Sequence, residues 1–210
     1  KISPEYSEFE QIKWDCYYHS VLCHFKAVKL CHDILPDAQI GSMLASAYAY
    51  PLTSKPEDVQ AALKHNQSTM WDDLDILTSG EIDIRHRKQL EFKGIKVNIT
   101  KEERDLLKSP NSKIDFISFS YYYSLCMQAE GKTKDTNAET MQMLYQGYYN
   151  PYLEKTSFGW QIDPLGLRNF MNDIYEQAEV AIESSSCVIF IVDGKSGITP
   201  TDRSILNMLR

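Results

Sequence analysis

Between Gln11 and Leu35 one apolar stripe recurs at helical spacing: Tyr18, Val21, Leu22, Phe25, Val28, Cys31 and Leu35. Steps of three and four put these side chains on one face, so the spacing predicts a long helix over 11–35 lying against a core. Pro36 cannot continue it. Just beyond the break, Ile40 to Leu44 is a short apolar run without alternation, which fits a strand covered on both faces. A long helix feeding such a strand restricts the chain to helix-flanked, mainly parallel sheets.

The rest of the chain repeats the alternation. Tyr48 to Lys55 carries Pro51 and reads as a loop. Pro56, Glu57 and Asp58 suit the first turn of a helix reaching about Leu77, which Ser79 and Gly80 break. Ile84 to Phe92 reads as a basic helix, and Ile95 to Ile99 as a short extended segment. Thr100 with Glu103 makes a capping box for a helix through Leu107. Ile114 to Ser120 is the second strand, with aromatics after it, and 130–140 is a polar exposed loop. A helix after Asp163 and Pro164 carries Leu167, Phe170, Met171, Ile174 and Ala178. Cys187 to Val192 is a continuous apolar strand ended by Asp193 and Gly194, and Thr199 with Asp202 opens a final helix. No hairpin signal and no internal repeat interrupt the series. At 210 residues the chain is short for a complete (β/α)8 barrel, which takes about 250.

Composition narrows the partners. A net charge of -7 repels nucleic acid and anionic membranes, so neither is expected as a partner. No apolar run is long enough to span a bilayer and no signal peptide opens the chain. The five cysteines form no CxxC pair and no zinc spacing. Cys16, Cys23 and Cys31 lie within the first helical pattern and read as buried free thiols, which suits a reducing, cytoplasmic setting. Asp72, Asp73 and Asp75 cluster on a helix, as solvated surface carboxylates do; Asp72 and Asp75 share a face. His19, His24 and His32 are spaced by five and eight, without an HExxH pattern, and read as structural histidines.

Four blocks carry a family resemblance: HSVLCHFKAVKLCHDILPD at 19–37, IGSMLASAYAYPLTSKPEDVQAA at 40–62, DFISFSYYYS at 115–124 and NPYLEKTSFGWQIDPLGLR at 150–168. In this order and spacing they resemble family 1 glycoside hydrolases over roughly residues 15–170, nearest to bacterial 6-phospho-β-glucosidases. The resemblance implies a TIM barrel, with the first two blocks as the helix after strand four, strand five and its loop. DFISFSYYYS would be strand six. The family has Asn-x-Tyr there, often Ser-x-Tyr in phospho-glycosidases, and Ser120 and Tyr122 match it. The family's tyrosine hydroxyl donates to the nucleophilic carboxylate, so Tyr122 is expected in a supporting catalytic and substrate-binding role, with Tyr121 and Tyr123 facing the other way. Trp160 matches a tryptophan before strand seven and is either structural or subsite-lining. Ser120, Tyr122 and Trp160 are thus the expected substrate-binding residues. The substrate implied is a phosphorylated β-glucoside, and no cofactor or metal is implied.

The implied chemistry is retaining hydrolysis by two carboxyl groups about 5–5.5 Å apart, one acid/base and one nucleophile. The family carries them in Thr-x-Asn-Glu after strand four and Glu-Asn-Gly after strand seven. Neither motif occurs within residues 1–210, so this stretch is expected to be inactive alone. Thr78 to Asp83 also stands where the family has Arg-Gly-x-Tyr-Pro.

Residues 177–210, QAEVAIESSSCVIFIVDGKSGITPTDRSILNMLR, resemble instead the first GTPase domain of the bacterial tandem-GTPase family of ribosome assembly. There Asp193 would be a strand-end residue, although Asp193 and Gly194 superficially resemble the hydrolase's nucleophile motif. No GxxxxGK[ST] phosphate loop accompanies the segment. The expectation is therefore an α/β chain: a partial (β/α)8 barrel over 1–170, and a foreign helix-strand-helix segment over 171–210 packed on the same sheet. Its open sheet edges would favour self-association. A fragment of a ribosome-assembly GTPase and a non-catalytic chimeric or designed α/β protein remain as alternatives.

Overall fold

The computed structural model describes residues 4–129, 140–141 and 147–181. The expected strand at Cys187–Val192, the helix from Thr199 and most of the loop over 130–140 lie outside the described residues.

Helix α1 spans Pro4–Ile34. Trp14, Tyr18, Val21, Leu22, Phe25 and Val28 are buried along its stripe. The stripe fades toward the end: Cys31 is half-buried and Leu35, beyond the helix, is exposed. Cys16 and Cys23 correct the expectation of buried thiols, since both are exposed and free. Each lies two positions past a stripe residue, hence on the far side of a helix turning about 100° per residue. The buried thiol among the described cysteines is Cys126.

Strand β1 spans Gly41–Pro51, so Tyr48 to Pro51 extend the strand instead of forming a loop. Pro51 sits at its very end, where the missing N–H costs least. Helix α2, Pro56–Asn66, passes through a π-helical turn at Gln67–Trp71 into α3, Asp72–Ser79, so the expected helix is present with one widened turn. Helix α4, Ile84–Phe92, begins where the Asp83 carboxylate accepts the Arg85 N–H at 2.8 Å. Helix α5, Lys101–Leu107, has both halves of the capping box between Thr100 and Glu103. Strand β2 spans Phe116–Met127, seven residues past the expected end at Ser120. Two-residue strands β3, Thr140–Met141, and β4, Gly147–Tyr148, follow. Helix α6, Pro164–Ala181, runs unbroken across residues 170 and 171.

The sheet order is β1-β2-β4-β3. Asp115 N donates to Ile40 O at 2.9 Å, and Leu52 N to Met127 O at 2.8 Å. Start meets start and end meets end, so β1 and β2 run parallel. β4 pairs antiparallel with both β2 and β3. That corrects the expectation of a sheet without hairpins. Strands of two residues are too short to write an alternating pattern into the sequence.

The chain divides into two units, 4–42 with 72–117, and 43–71 with the described part of 118–180. In the first, α1 packs against α5 and the turn at Pro110–Ser112. His32 points one ring nitrogen at Asn111 O and the other at Asp115 Oδ2, both at 2.9 Å. Two acceptors on one imidazole favour the doubly protonated ring, and its pKa is raised, first by the Asn111 carbonyl and then by Asp115. His24 lies edge-on to Phe25, and burial lowers its pKa. His19 is exposed.

The aspartate cluster is not the solvated surface expected of it. Asp72 is buried, with Arg85 Nη2 at 2.9 Å and His86 Nδ1 at 3.5 Å. Asp73 accepts the Tyr17 hydroxyl at 2.7 Å. Asp75 and Asp83 also flank Arg85, at 4.0 and 3.6 Å. Burial, the largest cause, raises the pKa of Asp72, Asp73 and Asp75, and burial lowers that of His86. The spacing that looked like a wet face is a polar hub under α1.

In the second unit, Ala47, Ala49, Ala62, Tyr123 and Leu125 form the core, with Met127, Tyr149 and Trp160 packed on it. Among the described residues no helix is long and apolar enough to cross a membrane.

Candidate active site

The three residues singled out by motif, Ser120, Tyr122 and Trp160, all belong to the second unit. Tyr122 lies mid-strand in β2, not past its end, because β2 continues to Met127. Alternation then separates the three tyrosines. Tyr122 is 47 % exposed, whereas Tyr123 is 4 % exposed and in the core, which sets Tyr122 apart from a core aromatic. Tyr121 packs with Phe119 on the ring of Phe170 from α6. The ring of Trp160 stands 5.1 Å from that of Tyr122, tilted by 60°. Ser120 sits two residues before Tyr122, and its hydroxyl approaches Met43 Sδ at 3.8 Å. The structure thus joins Tyr122 and Trp160 directly and leaves Ser120 beside β1.

Trp160 reaches Tyr122 from a small hairpin. Lys155 pairs with Gln161 in an antiparallel bridge, and Ile162 N donates to Glu154 O at 2.9 Å. At its tip, Thr156 N donates to Trp160 O at 2.8 Å while Trp160 N donates to Thr156 Oγ1 at 3.1 Å. Gly159 closes the turn at φ +85, which a side chain would strain. Phe158, at the same tip, is exposed, with its ring 5.8 Å from Trp160. Lys155 Nζ covers the Tyr149 ring at 3.6 Å.

Buried polar side chains fix the backbone around this aromatic surface. Asn66 makes a two-point clamp on Ala49, accepting its N–H at 2.8 Å and donating to its carbonyl at 3.1 Å. Gln161 clamps Asn150 the same way, at 2.9 and 2.7 Å. Asp58, fully buried, accepts the Thr53 hydroxyl at 2.5 Å and Ala129 N–H at 3.0 Å, tying together the segments that leave β1 and β2. Asp163 caps α6 through Gly166 N–H at 2.9 Å. Burial and then the Asp163 charge push the Tyr50 and Tyr121 hydroxyls above the ordinary tyrosine range. Tyr48 is raised by burial and by Asp173.

An exposed phenol beside a half-buried indole offers a hydroxyl to donate and part of an apolar face to stack on. The motif reading missed Phe158 and all four clamping residues. Asp58 and Asp163 were visible only as helix-start residues. Nothing local marked Asn66 or Gln161, whose partners are 17 and 11 residues away.

Comparison with known proteins bears on the family and the fold. The sequence profile of glycosyl hydrolase family 1 matches residues 1–194. A 6-phospho-β-glucosidase from Dickeya chrysanthemi is 42 % identical over 168 residues, covering 76 % of this chain and 33 % of its own length. The 6-phospho-β-glucosidase AscB of Escherichia coli K12 is 34 % identical, covering 80 % of this chain and 34 % of its own length. The chain therefore spans about a third of the length of these curated relatives. The fold overlays that of the family 1 β-glucosidase from Exiguobacterium antarcticum B7 with a TM-score of 0.60 at 17 % identity, over 91 % of this chain and 43 % of that one. This is an α/β fold covering part of a TIM barrel. The profile match includes residues 177–194, within the stretch that resembles a GTPase, and none of these comparisons supports a GTPase relationship. With profile, relatives and fold in agreement, the chain belongs to glycoside hydrolase family 1.

Proposed function

We propose that these residues form part of the substrate site of a retaining 6-phospho-β-glucosidase. The observation that carries the reading is Tyr122, which faces solvent from mid-strand and meets Trp160, while its neighbour Tyr123 is buried. In this reading the Tyr122 hydroxyl donates to the nucleophilic carboxylate. That bond holds the carboxylate ionised and oriented for attack at the anomeric carbon. Ser120 lines the same strand, and Trp160 offers its face to the sugar or aglycone. The similar proteins named 6-phospho-β-glucosidase supply the substrate class.

Hydrolysis needs the two carboxyl groups as well. Their usual motifs do not occur in residues 1–210, so the reaction depends on carboxylates from outside this stretch, and the 210-residue chain alone is inactive. It takes no cofactor, and it works in the cytoplasm.

The test is a fluorescence titration with phenyl 6-phospho-β-glucoside, run beside a hydrolysis assay and an intact-mass measurement. Saturable quenching that Tyr122→Phe weakens and Trp160→Ala abolishes, without phenol release at a mass of 24.2 kDa, fits the proposal. Equal affinity in both variants sinks the site assignment. Turnover by the 24.2 kDa chain sinks the assignment of catalysis to residues elsewhere.

A further inference from the structure

Among the buried oxygens of the second unit that make no hydrogen bond of ordinary geometry, two converge. One is Oδ2 of Asp163, a residue 7 % exposed, and the other is the hydroxyl of Tyr121. A Cβ placed on Gly166 would come within 2.2 Å of each of them, so both press on the same point, and glycine is what leaves them room. The other carboxylate oxygen, Oδ1, is engaged by Gly166 N–H at 2.9 Å. The Tyr50 hydroxyl reaches the same carboxylate from β1. Ser124 lies beside Tyr121, with its own hydroxyl also outside hydrogen-bond geometry. Of these two neighbours the carboxylate is the stronger acceptor for a phenol proton.

We propose that Asp163 is a positioning residue of the site: it joins Tyr50 of β1, Tyr121 of β2 and the start of α6, and so holds the Trp160 hairpin against Tyr122. The inference rests on the reading of Tyr122 and Trp160 as the substrate-facing pair. The connection is short on both sides. Tyr121 adjoins Tyr122 along β2. Asp163 follows Trp160 by three residues, and Gln161 between them is clamped to Asn150. The hairpin is closed by its own hydrogen bonds, and its placement against β2 rests on the packing of Trp160 and the Gln161 clamp. Turning the Tyr121 hydroxyl onto the adjacent Oδ2 of Asp163 would add a tie between β2 and the end of the hairpin. Asp163 acts here through its neighbours and transfers no proton to substrate.

Fluorine NMR of the chain labelled with fluorotryptophan tests this without ligand, so failure of the substrate assignment leaves the test intact. The chain has three tryptophans, and Trp160→Phe assigns the resonance of interest. Tyr121→Phe removes only the hydroxyl, and Asp163→Asn keeps an oxygen for Gly166 N–H. Each should shift the Trp160 resonance by more than its linewidth or split it, with the Trp14 resonance unmoved. Ser124→Ala should leave Trp160 in place. An unshifted Trp160 signal in Tyr121→Phe overturns the proposal, whether or not Asp163→Asn folds. So does a Ser124→Ala spectrum that reproduces the Tyr121→Phe shift.

Discussion

Asn66 and Asp72 stand six positions apart on the helical stretch from Pro56 to Ser79, both are buried, and they are held in opposite ways. Asn66, in the second unit, is neutral and meets a backbone amide with one donor and one acceptor. Asp72, in the first, is a carboxylate paired with Arg85, with the His86 ring beside it and other aspartates around it. The neutral clamp fixes a strand position at little electrostatic cost. The ionic hub costs desolvation that only its partners offset, so it is expensive to break from one side. The unit bearing the candidate site is organised mainly by short-range hydrogen bonds to backbone, and the other by charge.

The sharpest way to break this comparison is Asp72→Ala. It takes away the 2.9 Å partner of Arg85, leaving Asp83 and Asp75 at 3.6 and 4.0 Å, and should cost about 3 kcal/mol, at the low end for a buried pair because Arg85 keeps these neighbours and some solvent. Urea unfolding measures it, and Asp72→Ala with Arg85→Met should recover much of the loss. A single-mutant cost below about 1 kcal/mol would mean the hub is a surface feature after all. Asn66→Ala comes next, at about 2 kcal/mol, because it leaves a buried N–H and carbonyl of Ala49 unpaired. Its cost should not change with salt; a strong salt dependence would erase the contrast. Thr100→Ala removes one half of a capping box and should cost about 1 kcal/mol, read from the same unfolding curves.

Histidines sharpen the contrast through pH. The pKa of His32, in the first unit, is raised above 6.5, so its contribution is complete below 6.5 and lost as pH rises through the folded value. The pKa of His65, in the second, is lowered by burial, so its contribution is present above 6.5 and lost as pH falls through the folded value. Denaturation midpoints at about pH 5.5 and about pH 8 separate the two. His32→Gln should destabilise more at the acid end, and His65→Gln more at the alkaline end. Matching pH trends in both variants would remove the distinction. Tyr122→Phe should move stability least, within about 0.5 kcal/mol, since its ring keeps its place beside Trp160. A larger loss would mark the hydroxyl as part of the fold and weaken the case for a ligand.

Where burial follows a period, the residues announced it. The α1 stripe from Tyr18 to Val28 is buried as spaced, and Thr100 with Glu103 caps α5 as written. The strands were read short because tyrosines and a terminal proline resemble turn chemistry; β1 runs through Tyr48 and Tyr50, and β2 through three tyrosines. Within the candidate site Tyr122 came from its motif and from alternation. Its supports could not, since a side chain such as Asp58 meets Ala129 across 71 positions, and no local pattern records such a pairing. The aspartates at 72, 73 and 75 misled for the same reason: their partners Tyr17 and Arg85 come from other helices.

The uneven placement of the thiols has a practical consequence. Cys16 and Cys23 are seven residues apart on one exposed face of α1, about 10 Å along its axis, so a disulfide reagent meets them at once. Cys126 is buried on β2, and burial with the nearby Asp163 charge pushes its thiol up to about 11. It reacts only when that strand opens, which makes its labelling rate a clock for local breathing beside Tyr122.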